Sequence, residues 1–132
     1  MTYAAFISHA NSDGAKALQV AEQLERAGIK CWVAPRDIQT GENYREAIVR
    51  ALKETKCLIL LLSEAANTSQ WVPNEVDEAR NLRKRIYTLR IEDIEPGDGL
   101  RMLISQYQSI HAHSGSFKGH VDSLIQDIVR DF

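Results

Sequence analysis

The chain of 132 residues has only two cysteines, and its longest apolar run is Cys57–Leu62. Two cysteines cannot staple a disulfide-dense secreted scaffold. A run so short falls well below the ~20 apolar residues that cross a bilayer. The N-terminus has no basic segment followed by a long apolar stretch, so no signal peptide is expected and the expected location is cytoplasmic. An excess of one charge is also missing, since sixteen basic residues against eighteen acidic leave a net charge of −2. Without a basic surplus to neutralise phosphates, neither a nucleic-acid nor a membrane partner is expected. Low-complexity stretches and internal repeats are absent too. What is present is ordinary globular composition, 44% hydrophobic and 26% charged. Residues 1–132 are expected to form a single domain with a real core.

Punctuation falls at Gly28, Gly41, Pro96-Gly97-Asp98-Gly99 and Ser114-Gly115-Ser116, with strand-like and helix-like stretches alternating between. Strands are predicted at Tyr3–Ser8, Ile29–Val33, Lys56–Ser63, Ile86–Ile91 and Gln106–His111. The third, holding CLILLL, is apolar on both faces, as an interior parallel strand should be. Helices are predicted at Asp13–Ala27, with Ala15, Leu18, Ala21 and Leu24 inward, and at Asn43–Thr55, with Tyr44, Ala47, Ile48, Ala51 and Leu52 on one side. Others are expected at Val72–Lys84, with Pro73 in its first turn, and briefly near Leu100–Ile104. In the last helix Phe117, Val121, Leu124, Ile125, Ile128 and Phe132 make a stripe. This order predicts a three-layer, flavodoxin-like α/β fold, a five-stranded parallel sheet with helices on both faces. If strands two and three flank strand one, Cys31 and Cys57 lie two strands apart, roughly 10 Å, too far for a disulfide.

Ligands in such folds bind beyond the carboxyl ends of the strands. Familiar chemistries fail there. The turn after the first strand, SHANSDG, lacks a Rossmann glycine triad, and neither a P-loop nor a GxSxG elbow exists. The acidic residues, aspartate and lysine of a phosphoryl-accepting regulator are replaced by His9, Ser63 and His111. His111 and His113 have no cysteine nearby, so no metal site is expected. Cys31 and Cys57 read as small core hydrophobes.

Three segments remain at that face, Ala5–Ala10, Trp32–Gly41 and Ser69–Glu75, and they overlap the stretches FISHA (Phe6 to Ala10), CWVAPRDIQTGENYREAI (Cys31 to Ile48) and WVPNEVDEA (Trp71 to Ala79). Together, in this order, they resemble the Toll/interleukin receptor (TIR) domain family, particularly its bacterial members, over Tyr3 to Phe132. Two departures stand out: His9 is followed by small Ala10, and the second strand ends in Ala34-Pro35 rather than an acidic residue.

Some members of that family only self-associate; others cleave NAD⁺ into nicotinamide and ADP-ribose or a cyclic form. The resemblance therefore implies an NAD⁺ glycohydrolase with NAD⁺ as substrate and no cofactor, in antiviral defence signalling. It implies that Glu75, four residues after Trp71, is catalytic, and that Phe6, Ser8, His9 and Trp71 adjoin the substrate. Arg36, Asp37 and Gly41 are expected where other TIR copies meet loop 34–41, and an attached sensor domain is expected, the chain then being a fragment. The alternatives are a non-catalytic self-association module and, more distantly, a deoxyribosyltransferase-like fold. By position alone Glu75 can equally be a solvated helix-end carboxylate, Trp71 a packing staple, and Arg36 and Asp37 substrate contacts or ordinary loop charges.

The chemistry suits one carboxylate. Nicotinamide leaves as a neutral pyridine, so the acid of ordinary glycoside hydrolysis is unnecessary. Positive charge develops on the ribose, where an ionised carboxylate stabilises it. Trp71 and Glu75 are i,i+4 neighbours sharing a helix face, and the helix N-terminus favours the charged form by up to ~1 kcal/mol.

Overall fold

The computed structural model describes residues 3–132. Five parallel strands, β1 (Ala5–Ser8), β2 (Cys31–Val33), β3 (Cys57–Leu62), β4 (Arg85–Arg90) and β5 (Ser109–His111), lie in the order β2-β1-β3-β4-β5. This is the three-layer α/β architecture that the alternation of elements predicts. The interior strand β3 is buried along its whole length.

Helices α1 (Gly14–Arg26) and α6 (Phe117–Asp131) cover one face of the sheet. The other face carries α2 (Tyr44–Glu54), α3 (Glu64–Thr68), α4 (Val72–Asn81) and α5 (Asp98–Ile104). Alternation along β1 divides the cores: Ala5 and Ile7 join the first, Phe6 and Ser8 face the second. Local signals explain the helix ends. Asn43 accepts the Glu46 amide to start α2, and Gly28, at φ +86°, ends the turn after α1 in a conformation glycine reaches freely.

Cys31 and Cys57 both stand beside Ala5, one on each neighbouring strand, and are free thiols. Burial pushes both thiols up to about 12, which keeps them protonated and unreactive.

Several details differ from the sequence reading. The stripe of α1 is Ala17, Val20, Ala21 and Leu24, while Ala15 and Leu18 face water. Small and β-branched side chains, rather than Leu18, sit where the helix approaches the sheet. The outer strands are shorter than predicted: β5 pairs with only Thr88–Arg90, because the amide of Tyr107 turns back to Ile104 at the end of α5. Helix α4 ends at Asn81, where Arg83 enters the left-handed region at φ 59°. Phe132, the last residue of the α6 stripe, is exposed. Short α3 was not anticipated; Ser63 starts it by accepting the Ala66 amide. None of the described helices is long and apolar enough to cross a membrane.

Candidate active site

Ser8 ends β1 fully buried, on the face covered by α4. Its hydroxyl donates to Oε1 of Glu75 at 2.7 Å. Glu75 is delivered by the first turn of α4, which Ser69 initiates by accepting the amides of Trp71 and Val72. Pro73 supports that turn, since its missing N–H is not needed there. The result is a carboxyl only 9% exposed, held by one hydroxyl.

Burial pushes the Glu75 carboxyl from its ordinary 4.5 up to about 7, and the Ser8 hydrogen bond opposes part of that rise. The sequence reading expected the helix N-terminus to keep the group ionised. Desolvation wins, because a dipole contribution of at most ~1 kcal/mol is smaller than the cost of taking a carboxylate out of water. A carboxyl near neutrality is poised to change protonation state at working pH, a property concentrated at reactive sites.

Glu75 borders a cavity of about 470 Å³ at the carboxyl ends of β1 and β2, within the size range of small-molecule sites. His9, Ala34, Asn11, Ser12, Trp71 and Tyr44 are among the residues that line it. The ring of His9 contacts two carbonyl oxygens, Ala10 at 2.7 Å and Ala34 at 2.9 Å, and so ties the end of β1 to the start of the next loop. Trp71 is 40% exposed rather than packed as a staple. Tyr44 lies against it with ring centres 5.6 Å apart, and the Arg45 guanidinium stands 5.6 Å from the same indole.

Of the residues singled out from sequence, Glu75, Trp71 and His9 border the cavity, whereas fully buried Ser8 is not in its lining and meets the site through Glu75. Phe6 borders the cavity from below but is 1% exposed and stacked on Trp32 at 5.0 Å, mainly a core side chain. Arg36 and Asp37 turn back onto their own domain, although Arg36 stays exposed and Asp37 half-buried. The guanidinium of Arg36 meets both carboxylate oxygens of Glu25 and donates to the Cys31 carbonyl, while Asp37 accepts the Val33 amide at 2.8 Å. These contacts pin the base of loop 34–41 to β2 and α1. Its exposed end is the turn of Gln39 and Glu42 around Gly41, which sits at φ +80°. The rings of His111 and His113 meet in a T-shaped arrangement with centres 5.7 Å apart, and among the described residues no group of three metal-ligating side chains forms.

Tyr44, Ser69 and Asn11 were missed as site residues. For Tyr44 a signal existed: an aromatic residue one position after a helix cap, just beyond loop 34–41, is better placed over a cleft than in the core.

A family model described as a TIR domain matches residues 5–125. The chain belongs to the TIR domain family. The TIR domain of the Toll-related receptor TRR-2 from Hydra magnipapillata superposes with a TM-score of 0.81 at 21% identity, covering 96% of this chain and 98% of that one. A metazoan TIR-STING receptor from C. gigas has a TM-score of 0.69 at 26% identity, covering 96% of this chain and 40% of the receptor. A Stimulator of interferon genes protein from Magallana gigas is 36% identical over 70 residues, 52% of this chain. The chain spans 17% of that relative's length.

Proposed function

We propose that this TIR domain cleaves NAD⁺ at the nicotinamide–ribose bond, releasing nicotinamide and either ADP-ribose, when water takes the ribosyl carbon, or its cyclic form, when a nucleophile of the substrate itself does. The observation that carries the reading is Glu75: a buried carboxyl, held by Ser8, at the edge of an open cavity beneath an exposed tryptophan. NAD⁺ enters as substrate, and the reading includes no cofactor or metal.

The bond between C1′ and the pyridinium nitrogen breaks heterolytically. Both electrons stay on the nitrogen, which loses its positive charge and needs no proton. The ribosyl carbon becomes electron-deficient, and the Glu75 carboxylate stabilises it across a partly dry site. Bound pyridinium itself favours the ionised form of Glu75, because an opposite charge nearby lowers a carboxyl's pKa. Water then adds through its oxygen to C1′, and its proton passes to Glu75, whose affinity for protons near neutrality suits a general base. Trp71 and Tyr44 offer aromatic faces to the flat rings of the dinucleotide.

In this reading other TIR copies meet the exposed turn around Gly41, activity depends on that self-association, and an attached sensor domain supplies the trigger. The setting is cytoplasmic signal transduction in antiviral defence. The names of the relatives, a Toll-related receptor and a stimulator of interferon genes protein, support a signalling role.

The test is nicotinamide release at high protein concentration by the native chain and by Glu75→Gln. Release that disappears with the charge supports the reading. No release from a folded, clustered native domain overturns it in favour of a non-catalytic module, and transfer of ribose to a free base would favour a transferase.

A further inference from the structure

A second hollow, of about 200 Å³, lies between α2 and α4. It shares Trp71 and Glu75 with the larger cavity but none of that cavity's β1 residues. Trp71 is the partition: Tyr44, which borders the larger cavity, meets the indole, and so does Arg45, which borders the smaller. One carboxyl is thus flanked by two compartments of different size and character.

The smaller hollow is below the roughly 300 Å³ at which pockets begin to hold drug-sized ligands. It has room for a single ring and not for a dinucleotide. Its floor is apolar, made by Ile48 and Leu52, both buried, with half-buried Val49. Its rim carries a cation, Arg45, and an anion, Glu78, and among the described residues neither has an ion-pair partner. A flat aromatic wall, an apolar floor, one free donor and one free acceptor match a neutral heteroaromatic carboxamide.

We propose that this slot binds the nicotinamide product, with the ring against Trp71 and Val49, the amide N–H donating to Glu78 and the amide oxygen accepting from Arg45. The choice of ligand rests on the NAD⁺ reading above. The leaving group then occupies its own compartment while the ribosyl half stays in the larger cavity, which separates it from the carbon to which it would otherwise rejoin.

The experiment titrates nicotinamide itself into the protein and follows backbone amide shifts by NMR, a readout that needs no turnover. Shifts are expected at Val49, Asn74 and Glu78. Glu78→Ala removes a charged hydrogen-bond acceptor and should weaken nicotinamide about tenfold. It should leave 3-acetylpyridine unchanged, since that ring has the carbonyl but no amide N–H. Val49→Phe fills the slot and should weaken both ligands by about tenfold or more. If Val49→Phe does not fold, the Glu78→Ala comparison of the two ligands decides alone. Shifts confined to Asn11, Ser12 and Gln70, equal losses of both ligands in Glu78→Ala, or no binding at all would overturn the slot. Binding that behaves as described in a protein that never releases nicotinamide from NAD⁺ would overturn the NAD⁺ reading and leave the slot standing.

Discussion

The two faces of the sheet are built to different rules. Under α1 and α6 the core is almost wholly aliphatic; its polar outliers include the Tyr87 hydroxyl, which reaches the rim to donate to Asp131 at 2.6 Å, and Ser63 at the end of β3, which donates to Asp13. Under α2 and α4 the same sheet buries Ser8, Thr88 and Glu75. A single strand, β1, shows the contrast: Ile7 points one way into hydrocarbon, and Ser8 the other way to a carboxylate. Burying a carboxylate costs stability, so one face is spent on folding and the other on holding a group that does not want to be there. Substitutions confined to one face at a time test this division.

The largest effect is expected from Glu75→Gln. Nicotinamide release should fall by about 10²–10³ or more, as for loss of a preorganised electrostatic group. Stability should move the opposite way, and the sign follows from linkage. The folded carboxyl, at about 7, binds its proton more tightly than the unfolded one at 4.5. The contribution of Glu75 to native stability is therefore full below pH 4.5, declines through pH 7 and is lowest above it. Glu75→Gln removes that decline, so its melting temperature should exceed the native one at pH 8, by on the order of 3 kcal/mol of stability, and match it near pH 4. A thermal scan at both pH values checks this. A stability difference between Glu75→Gln and the native chain that is the same at pH 4 and pH 8 would mean that Glu75 is not buried as a charge.

On the opposite face, Leu24→Ala should cost about 2–5 kcal/mol, since Leu24 is fully buried and a cavity remains. Activity per folded molecule should hardly change. Urea titration together with the release assay separates the two quantities. A Leu24→Ala protein that is stable but inactive would show that the faces are coupled, contrary to the division drawn above.

Ser8→Ala sharpens the comparison within the site. Its hydroxyl is the group that opposes the rise in the Glu75 pKa, so removing it lifts the carboxyl further. A hydrogen bond to a charged group is worth about 1.5–3 kcal/mol, hence roughly 1–2 pH units. The acid limb of kcat/KM, expected near pH 7 in the native enzyme, should move to higher pH by about that amount. An unmoved limb would mean that the Ser8 hydroxyl does not set the Glu75 pKa.

The sequence made the fold legible because its signals are additive. CLILLL can only be an interior strand, and the stripe Val121, Leu124 and Ile128 leaves one orientation for the last helix. Glu75 and Trp71 were legible through their spacing on one helix. The burial of Glu75 was not, because it depends on Ser8 arriving 67 residues earlier in the chain, which no local pattern records. Tyr44 was misplaced into the core for a related reason. At the first turn of a helix periodicity is weak, and the aromatic partner that holds it, Trp71, belongs to another element. The turn of Arg36 back onto its own domain likewise needs Glu25 from α1, an acidic residue with no sequence mark of its own.

That contact leads to the smallest expected effect. The Arg36–Glu25 pair is about one-third exposed on each side, so it contributes under about 1 kcal/mol. Arg36→Ala should lower the melting temperature only slightly, and it should leave intact the rise of specific activity with protein concentration, because the guanidinium faces α1 and the Cys31 carbonyl rather than outward. Gly41→Ala is the sharper probe of the outward turn. At φ +80° a Cβ is strained by roughly 1 kcal/mol, and the strain falls on the exposed end of the loop rather than on its pinned base. Sedimentation and specific activity measured across a hundredfold dilution should therefore respond to Gly41→Ala and not to Arg36→Ala. The reverse order, with Arg36→Ala abolishing the concentration dependence in a protein of native stability, would mean that Arg36 leaves Glu25 to meet a second copy, and the pinned loop base would have to be given up.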